Sequence, residues 1–400
     1  VLASAELDEE DESKRPFVQV GDPFEENKLI ECSLELLATG LLVSLQDLGA
    51  AGLTSSASEL ASAGRVGIDI DVAKVPLREA DMAPFEIMVS ESQERMLCVA
   101  TPENAEAVLA ITEKWEVHGT VIGEVTDTRH MRILRDGEVV GDIPVTALVD
   151  DCPLYDLAPE APSAQIYPAP DAVLGGGESV RDTLLAILGS PNVASRRPLF
   201  EQYDCLVGAR TARRPEQTDT AVLALPHGGA VGVSIDGSGR RVAADPYRGT
   251  IQVVLECAAN LACVGAEPLG LTNCLNFGNP EKPTVAWQLD RSTRGLAEAC
   301  TALGVPVVGG NVSLYNETER GPIYPTPVVG MVGELPSPEG LPGMALREGD
   351  SIALAGPFAP TLGGSELAKL RGRLGPGLAD FDLAAVGEAI GQVRAVARSG

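Results

Sequence analysis

Aromatic side chains make up only 4% of the 400 residues, and histidine occurs three times. A core must therefore be aliphatic, and apolar residues at 44% of the chain supply one. Positive charge is also scarce: 30 Lys and Arg stand against 57 Asp and Glu, a net charge of −27. That balance argues against nucleic acid or an anionic membrane surface as partner, since both call for basic patches. It suits anionic small molecules met through cations and backbone amides. No apolar run is long enough to span a bilayer. None of the eight cysteines forms Cys-x-x-Cys, and no histidine stands at ligand spacing from a cysteine pair. Free, mostly buried thiols in a reducing, cytoplasmic compartment are expected. Neither a Walker A pattern nor G-x-G-x-x-G occurs, so a nucleotide would have to be held some other way. His118, His130 and His227 have no triad partner by sequence, and His227 in "LPHGG" reads as a turn residue.

What is present is a regular alternation of strand and helix patterns. "RPFVQV" reads as a strand. "GDPFEENKLIECSLELLATG" reads as a helix capped by Asp22, opened by Pro23 and closed by Gly40, with Ile30, Leu34 and Leu37 on one face. "LLVSLQD" reads as a buried strand, and "AAGLTSSASELASAG" as a helix with Leu53, Ala57 and Leu60 inward. "FEIMV" and "ERMLCVA" read as strands, and "HMRILRDGEVVGDIP" as two strands hinged at Asp136-Gly137. This predicts an α/β layer domain over residues 1–155. Residues 157–179, rich in Pro, Ala and Gly, read as linker within a connecting stretch 156–205. A second unit spans 206–335, with "TAVLALP" and "GAVGVSID" as paired strands. A third begins at 336 with "SIALAG" as a strand. The segment 382–398 puts Leu383, Val386, Ile390 and Val393 on one helical face that needs a partner. The chain is expected to be a central piece of a longer protein. Leu48, Gly49 and Leu53 stand at the spacing of Leu362, Gly363 and Leu367, which points to an internal duplication.

Four clusters can carry chemistry. Asp47 precedes a glycine-rich turn and a helix start, where amides and the helix dipole favour anions. It reads either as a Mg²⁺ ligand shared with phosphate or as a plain helix cap. "SESQ" (90–93) brings an acid, a hydroxyl and an amide together: Glu91 and Gln93 could bond a polar ligand, or the run is an edge turn. "LTNCLNFGNPEKP" (271–283) sets two asparagines after a strand. "VVGGNVSLYNE" (307–317) combines Gly309 and Gly310, which permit close backbone approach, with Asn311 and Ser313. It reads as a phosphate-contacting loop or a tight turn.

Taken together, "VQVGDPFEENKLIE", "SLQDLGAAGLTSSASELAS", "MVSESQERML", "NCLNFGNPEKP" and "VVGGNVSLYNET" resemble one family. It is the glutaminase-free large synthetase subunit of bacterial phosphoribosylformylglycinamidine synthase, in the aminoimidazole ribonucleotide synthetase-like superfamily. The resemblance implies an α/β fold of duplicated N- and C-terminal domain pairs. Residues 1–155 would be the C-terminal-type domain of the first half. Residues 206–335 would be the ATP-binding N-terminal type of the second, and 336–400 the start of its partner. It implies ATP- and Mg²⁺-dependent conversion of formylglycinamide ribonucleotide and ammonia to the amidine in purine biosynthesis. A glutaminase subunit and a small bridging subunit would be the partners. By motif match, Asp47 and Asn311 would ligand Mg²⁺. Gln19, Glu91, Ser92, Gln93 and Ser313 would contact the ribonucleotide, and Asn273 and Gly310 would line the ATP site. Many relatives have Asp at the position of Asn273. The family's catalytic histidine and ATP-contacting lysine have no counterpart here, so no catalytic residue is assigned and the chain alone is expected to be inactive. Alternatives are another kinase or synthetase of the superfamily, and a non-catalytic nucleotide-binding scaffold.

Overall fold

Helix α1 (Pro23–Thr39) begins where its sequence says it should. The Asp22 carboxylate accepts from the Phe24 and Glu25 amides, both at 3.2 Å, and Pro23 takes the first turn. Gly40, at φ 70°, closes it. A computed structural model describes residues 20–164, 167, 175–203, 207–214, 216–357, 361–375 and 377–399. The expected strand "RPFVQV", apart from Val20, lies outside the described residues, as does Gln19. The chain divides into two compact units, Val1–Asp156 and Leu157–Gly400.

In the first unit α1 is followed by β1 (Leu42–Asp47), α2 (Gly52–Gly64), β2 (Gly67–Asp71), α3 (Pro84–Val89), β3 (Met96–Ala100) and α4 (Ala105–Lys114). Strands β4 (Gly123–Thr126), β5 (His130–Arg135) and β6 (Glu138–Pro144) and the short α5 (Val145–Leu148) complete it. β1 pairs antiparallel with β3, and a four-stranded sheet runs β4-β2-β5-β6. The β5–β6 hairpin turns at Asp136 (φ 52°) and Gly137 (φ 83°), as the sequence predicts. α2 lies against the core through Leu53 and Ala57, both buried, with Leu60 half-buried. α1 buries Cys32 and Leu36 against Val108 of α4, while its Ile30–Leu34–Leu37 face is exposed. "FEIMV" is not a strand. Pro84 starts α3, and the Glu86 carboxylate reaches back to the Ala83 amide at 2.7 Å, so a local cap outweighs the β-leaning apolar run.

The second unit contains α6 (Val180–Leu188), α7 (Arg197–Phe200), β7 (Thr211–Arg213), β8 (Ala221–Ala224), β9 (Ala230–Gly237), α8 (Gly239–Ala244) and α9 (Pro246–Cys263). Next come β10 (Glu267–Asn276), α10 (Pro283–Leu303), β11 (Val307–Ser313), β12 (Glu317–Thr318), β13 (Gly321–Pro322), β14 (Thr326–Leu335), α11 (Glu366–Leu370) and α12 (Leu383–Ser399). Six strands form one sheet in the order β11-β10-β14-β9-β8-β7. α9 is the central core element. Val254, Cys257 and Leu261 are sealed from solvent, each apolar side chain worth about 1.5–3 kcal/mol of transfer free energy.

The helical face at 382–398 finds its partner within this unit. α12 packs on α9 and α10, Ile390 is buried, and Leu383, Val386 and Val393 are half-buried against the same core. Within the stretch read as linker, Tyr167 is 5% exposed, makes a T-shaped ring contact with Tyr324 and accepts at its hydroxyl from Gln288 Nε2 at 2.8 Å. No strand forms at 351–356, where Ile352 and Leu354 are 84% and 79% exposed. The two motifs taken as repeats also follow different backbone paths. The first turn places Ala51 and Gly52 in succession in the left-handed region and enters a 13-residue helix. The second has only Gly364 there, then Ser365 capping the five-residue α11. A shared leucine–glycine spacing is too short a pattern to fix a common path.

Candidate functional site

The turn after β1 is built on two consecutive left-handed residues, Ala51 (φ 57°) and Gly52 (φ 53°). Such a backbone costs an alanine about 1–2 kcal/mol. Gly52 has no alternative, because a Cβ there would lie 2.0 Å from the Ser90 carbonyl oxygen. The close approach locks the turn against the loop that leaves α3 at residue 90. Asp47 is exposed at the end of β1, opposite Met96. Its carbonyl accepts from the Ser56 hydroxyl at 2.7 Å. The helix-cap reading of its carboxylate fails, since the N-cap of α2 is Ala51 and no side chain caps that helix. Gly49 leaves room for the carboxylate, as a Cβ would stand 3.3 Å from Asp47 Oδ2.

The loop Ser90–Arg95 folds onto this turn. Glu91 is 2% exposed, and its Oε1 accepts from the Ala51 amide at 3.1 Å. The Gln93 side chain donates to the Glu91 carbonyl at 2.9 Å, and the Ser90 and Ser92 hydroxyls lie 3.1 Å apart. Arg95 holds the loop closed: Nε donates to Ser92 O at 2.9 Å and Nη2 to Ser90 O at 2.5 Å. Its own carbonyl accepts from the Leu48 amide at 3.2 Å. Burial, and then the nearby Arg78 charge, push the Arg95 guanidinium below its ordinary pKa. Thus Asp47, Glu91, Ser92 and Gln93, singled out separately in the sequence, belong to one hydrogen-bonded assembly. Arg95 was not singled out. Its only sequence signal is a cation beside the two acids of "SESQER", and only the fold shows which carbonyls it faces. A hollow of about 300 Å³ opens beside the first turns of α2, lined by Ala51, Thr54, Ser55, Ser58 and Glu59 among others.

In the second unit the asparagine and glycine motifs lie on adjacent parallel strands. Asn273 stands beside Gly310, Cys274 beside Asn311 and Asn276 beside Ser313. The bare Gly310 makes room for its neighbour, since a Cβ there would lie 2.7 Å from Asn273 Oδ1. The glycine pair falls in mid-strand rather than at the end of β11. β11 ends the sheet, and six of its seven residues are exposed. The loops beyond the two strands are tied together. Phe277 N donates to Ser313 O at 3.0 Å, and the Asn316 amide donates to Phe277 O at 3.1 Å and to Ser313 O at 2.9 Å. Buried Glu317 accepts from Asn279 N at 2.8 Å and pairs with Lys282. Burial alone would push the Glu317 carboxyl up, but the Lys282 and Asn279 hydrogen bonds win and hold it below its ordinary range. Sequence reasoning missed Asn316 and Glu317, which sit within a quoted motif but act only through the fold.

Among the described residues no three His, Cys, Asp or Glu side chains cluster as a metal cage. His227 lies in the β8–β9 turn, and His130 makes an exposed pair with Asp142 at 2.6 Å. Of the seven described cysteines all are free: Cys32, Cys257 and Cys300 are buried, whereas Cys152 and Cys263 are exposed.

Two family models match these two regions. Residues 1–136 match the AIR synthase related protein, C-terminal domain, and residues 217–335 the AIR synthase related protein, N-terminal domain. The phosphoribosylformylglycinamidine synthase subunit PurL of Thermomicrobium roseum is 49% identical over 374 residues, covering 92% of this chain and 51% of the relative. The subunit PurL of Moorella thermoacetica is 47% identical, covering 91% and 50%. The chain belongs to the PurL-type synthetase family. It spans about half the length of those relatives. Among solved structures, Thermotoga maritima PurL complexed with FGAR is 37% identical with a TM-score of 0.67, covering 81% of this chain and 50% of that one. The same protein complexed with ATP gives 37% and 0.65, covering 81% and 52%. The α/β, AIR synthase-like class expected for this PurL-type chain is therefore the observed one.

Proposed function

We propose that this chain contributes substrate- and nucleotide-binding elements to a synthetase converting formylglycinamide ribonucleotide and ammonia to formylglycinamidine ribonucleotide at the expense of ATP. The observation that carries the reading is the Ala51 N–Glu91 Oε1 bond, which joins the Asp47 turn to the Glu91–Gln93 loop in one rigid assembly. The similarity to Thermotoga maritima PurL complexed with FGAR and with ATP supports the same assignment. In this reading Gln19, Glu91, Ser92, Gln93 and Ser313 contact the ribonucleotide, and Asn273 and Gly310 line a nucleotide site. Phosphoryl transfer to the amide oxygen is mostly a matter of positioning and charge neutralisation, followed by displacement of phosphate by ammonia. The chain's residues fit that division of labour, offering rigid backbone and hydrogen-bonding groups rather than a nucleophile.

The residues present would suit a Mg²⁺ ion that meets phosphate charge. Mg²⁺ is commonly held by one or two carboxylates plus phosphate oxygens and water. The exposed Asp47 carboxylate, with the space Gly49 leaves beside it, meets that need in the first unit. Asn311, exposed on β11, offers a neutral oxygen in the second. When bound, the ion would neutralise phosphate charge. The domain reading is a C-terminal-type domain over 1–155, a connection over 156–205, an N-terminal ATP-binding type over 206–335 and the start of a second C-terminal type over 336–400. A glutaminase subunit supplying ammonia and a small bridging subunit are the proposed partners, the cytoplasm the proposed location, and the chain alone is inactive.

Asp47→Asn in a full-length synthetase tests this. We expect kcat/KM for the ribonucleotide to fall at least about 100-fold, roughly the 2.7 kcal/mol that two decades represent. The Mg²⁺ concentration needed for half-maximal rate should rise with it. A variant with wild-type kinetics and wild-type Mg²⁺ dependence would sink the assignment.

A further inference from the structure

The loop carrying Glu91, Ser92 and Gln93 grips a second segment of the chain through Glu94. Glu94 holds a left-handed backbone, φ 54°, and its side chain is 9% exposed. Its Oε1 accepts a hydrogen bond from the Asp22 amide at 2.9 Å, across 72 residues. Its Oε2 is buried without a hydrogen bond, and Arg78 Nη2 lies 3.6 Å from it. Arg78 Nη1 in turn donates to the Val20 carbonyl at 3.3 Å. One carboxylate and one guanidinium thus hold the backbone on both sides of Gly21.

Helix capping does not explain the arrangement. The first turn of α1 is already served by the Asp22 side chain, which takes the Phe24 and Glu25 amides. A strained non-glycine residue and a buried carboxylate oxygen without a hydrogen bond are costly features that persist where geometry must be fixed. What this contact fixes is the spacing between residues 20–22 and residues 91–93.

We infer that Glu94 is a positioning residue for ribonucleotide binding, with Arg78 as its countercharge. It anchors the Glu91–Gln93 loop to residues 20–22 ahead of α1, so that the loop's substrate-contacting groups are presented in one fixed position. The inference rests on the functional reading above, in which those residues touch the ribonucleotide.

Two conservative variants test it. Glu94→Asp keeps the charge and tolerates the left-handed backbone, but withdraws the carboxylate by one methylene. Glu94→Gln keeps the reach and the acceptor oxygen. In a full-length synthetase, Glu94→Asp should raise KM for formylglycinamide ribonucleotide about tenfold with kcat within about twofold, the pattern of lost uniform binding. In the 400-residue chain, amide hydrogen exchange at Asp22 should quicken about tenfold or more as its bond is lost. Glu94→Gln should return both readouts to within about threefold of wild type, since the acceptor remains. Wild-type KM together with wild-type exchange at residues 20–22 in Glu94→Asp overturns the inference, as does a kcat loss at unchanged KM. If the unmodified synthetase does not turn over the ribonucleotide, the functional reading falls. The exchange measurement still decides whether Glu94 holds the segment.

Discussion

In the first unit side chains hold the backbone. Arg95 pins the Ser90 and Ser92 carbonyls, Glu91 takes the Ala51 amide, and the turn between them runs through two left-handed residues. In the second unit the backbone holds the side chains. Asn273, Cys274 and Asn276 are set beside Gly310, Asn311 and Ser313 by the register of two parallel strands. The first arrangement is enclosed and tolerates little displacement. The second lies on an exposed end strand, where a side chain can swing aside. Two glycine-containing motifs of similar appearance therefore differ in what their glycines are for. Gly52 admits a neighbouring main chain, whereas Gly310 admits the tip of a side chain.

Substitutions can break that contrast. The largest effect is expected from Gly52→Ala. The new methyl meets the Ser90 carbonyl, which cannot move without releasing Arg95, and the backbone is left-handed as well. A loss of about 3–4 kcal/mol is expected from strain plus overpacking, read as a lower midpoint in thermal or urea unfolding of the 400-residue chain. Near-neutral stability would mean that the turn is softer than its geometry implies.

Glu317→Gln comes next. The amide keeps an acceptor for Asn279 N but loses the charge that pairs with Lys282, at a cost of about 1 kcal/mol at neutral pH. Because the folded-state pKa of Glu317 is lowered, its stabilisation is present above the ordinary carboxyl pKa and lost as pH falls through the folded value. The gap between variant and wild type should accordingly close in acid. A gap that widens in acid would reverse the sign assigned here. The smallest structural effect belongs to Gly310→Ala, under about 1 kcal/mol, because the clash is with a flexible side-chain end. Its cost should appear instead as weaker ADP binding by calorimetry. A large stability loss without a binding change would erase the distinction between the two glycines.

Much of the framework was legible because its signals are local. The Asp22 cap with Pro23, the Asp136-Gly137 hairpin and the apolar stripe of α12 each depend on neighbours within one or two turns. Where local signals competed, the apolar run "FEIMV" was read as a strand although Pro84 and Glu86 make it a helix. The site was legible as separate clusters but not as an assembly. Nothing in the order of residues states that Glu91 meets Ala51, that Arg95 turns back on Ser90, or that Glu94 reaches Asp22. Those partners are 40, 5 and 72 positions apart, and only folding brings their donors and acceptors into register. Asp47 shows the converse case. Its sequence context allowed a helix cap, and the left-handed Ala51 at the start of α2 removes that option.

The exposed end strand β11 carries a further cost. Its sequence Val-Val-Gly-Gly-Asn-Val-Ser contains neither charge nor proline, and Val308 is 72% exposed. Such an unguarded edge is a template on which another extended peptide can add itself, the step that begins intermolecular β-aggregation. Shielding this margin is thus a condition for keeping the protein in solution at high concentration, independent of any ligand it binds.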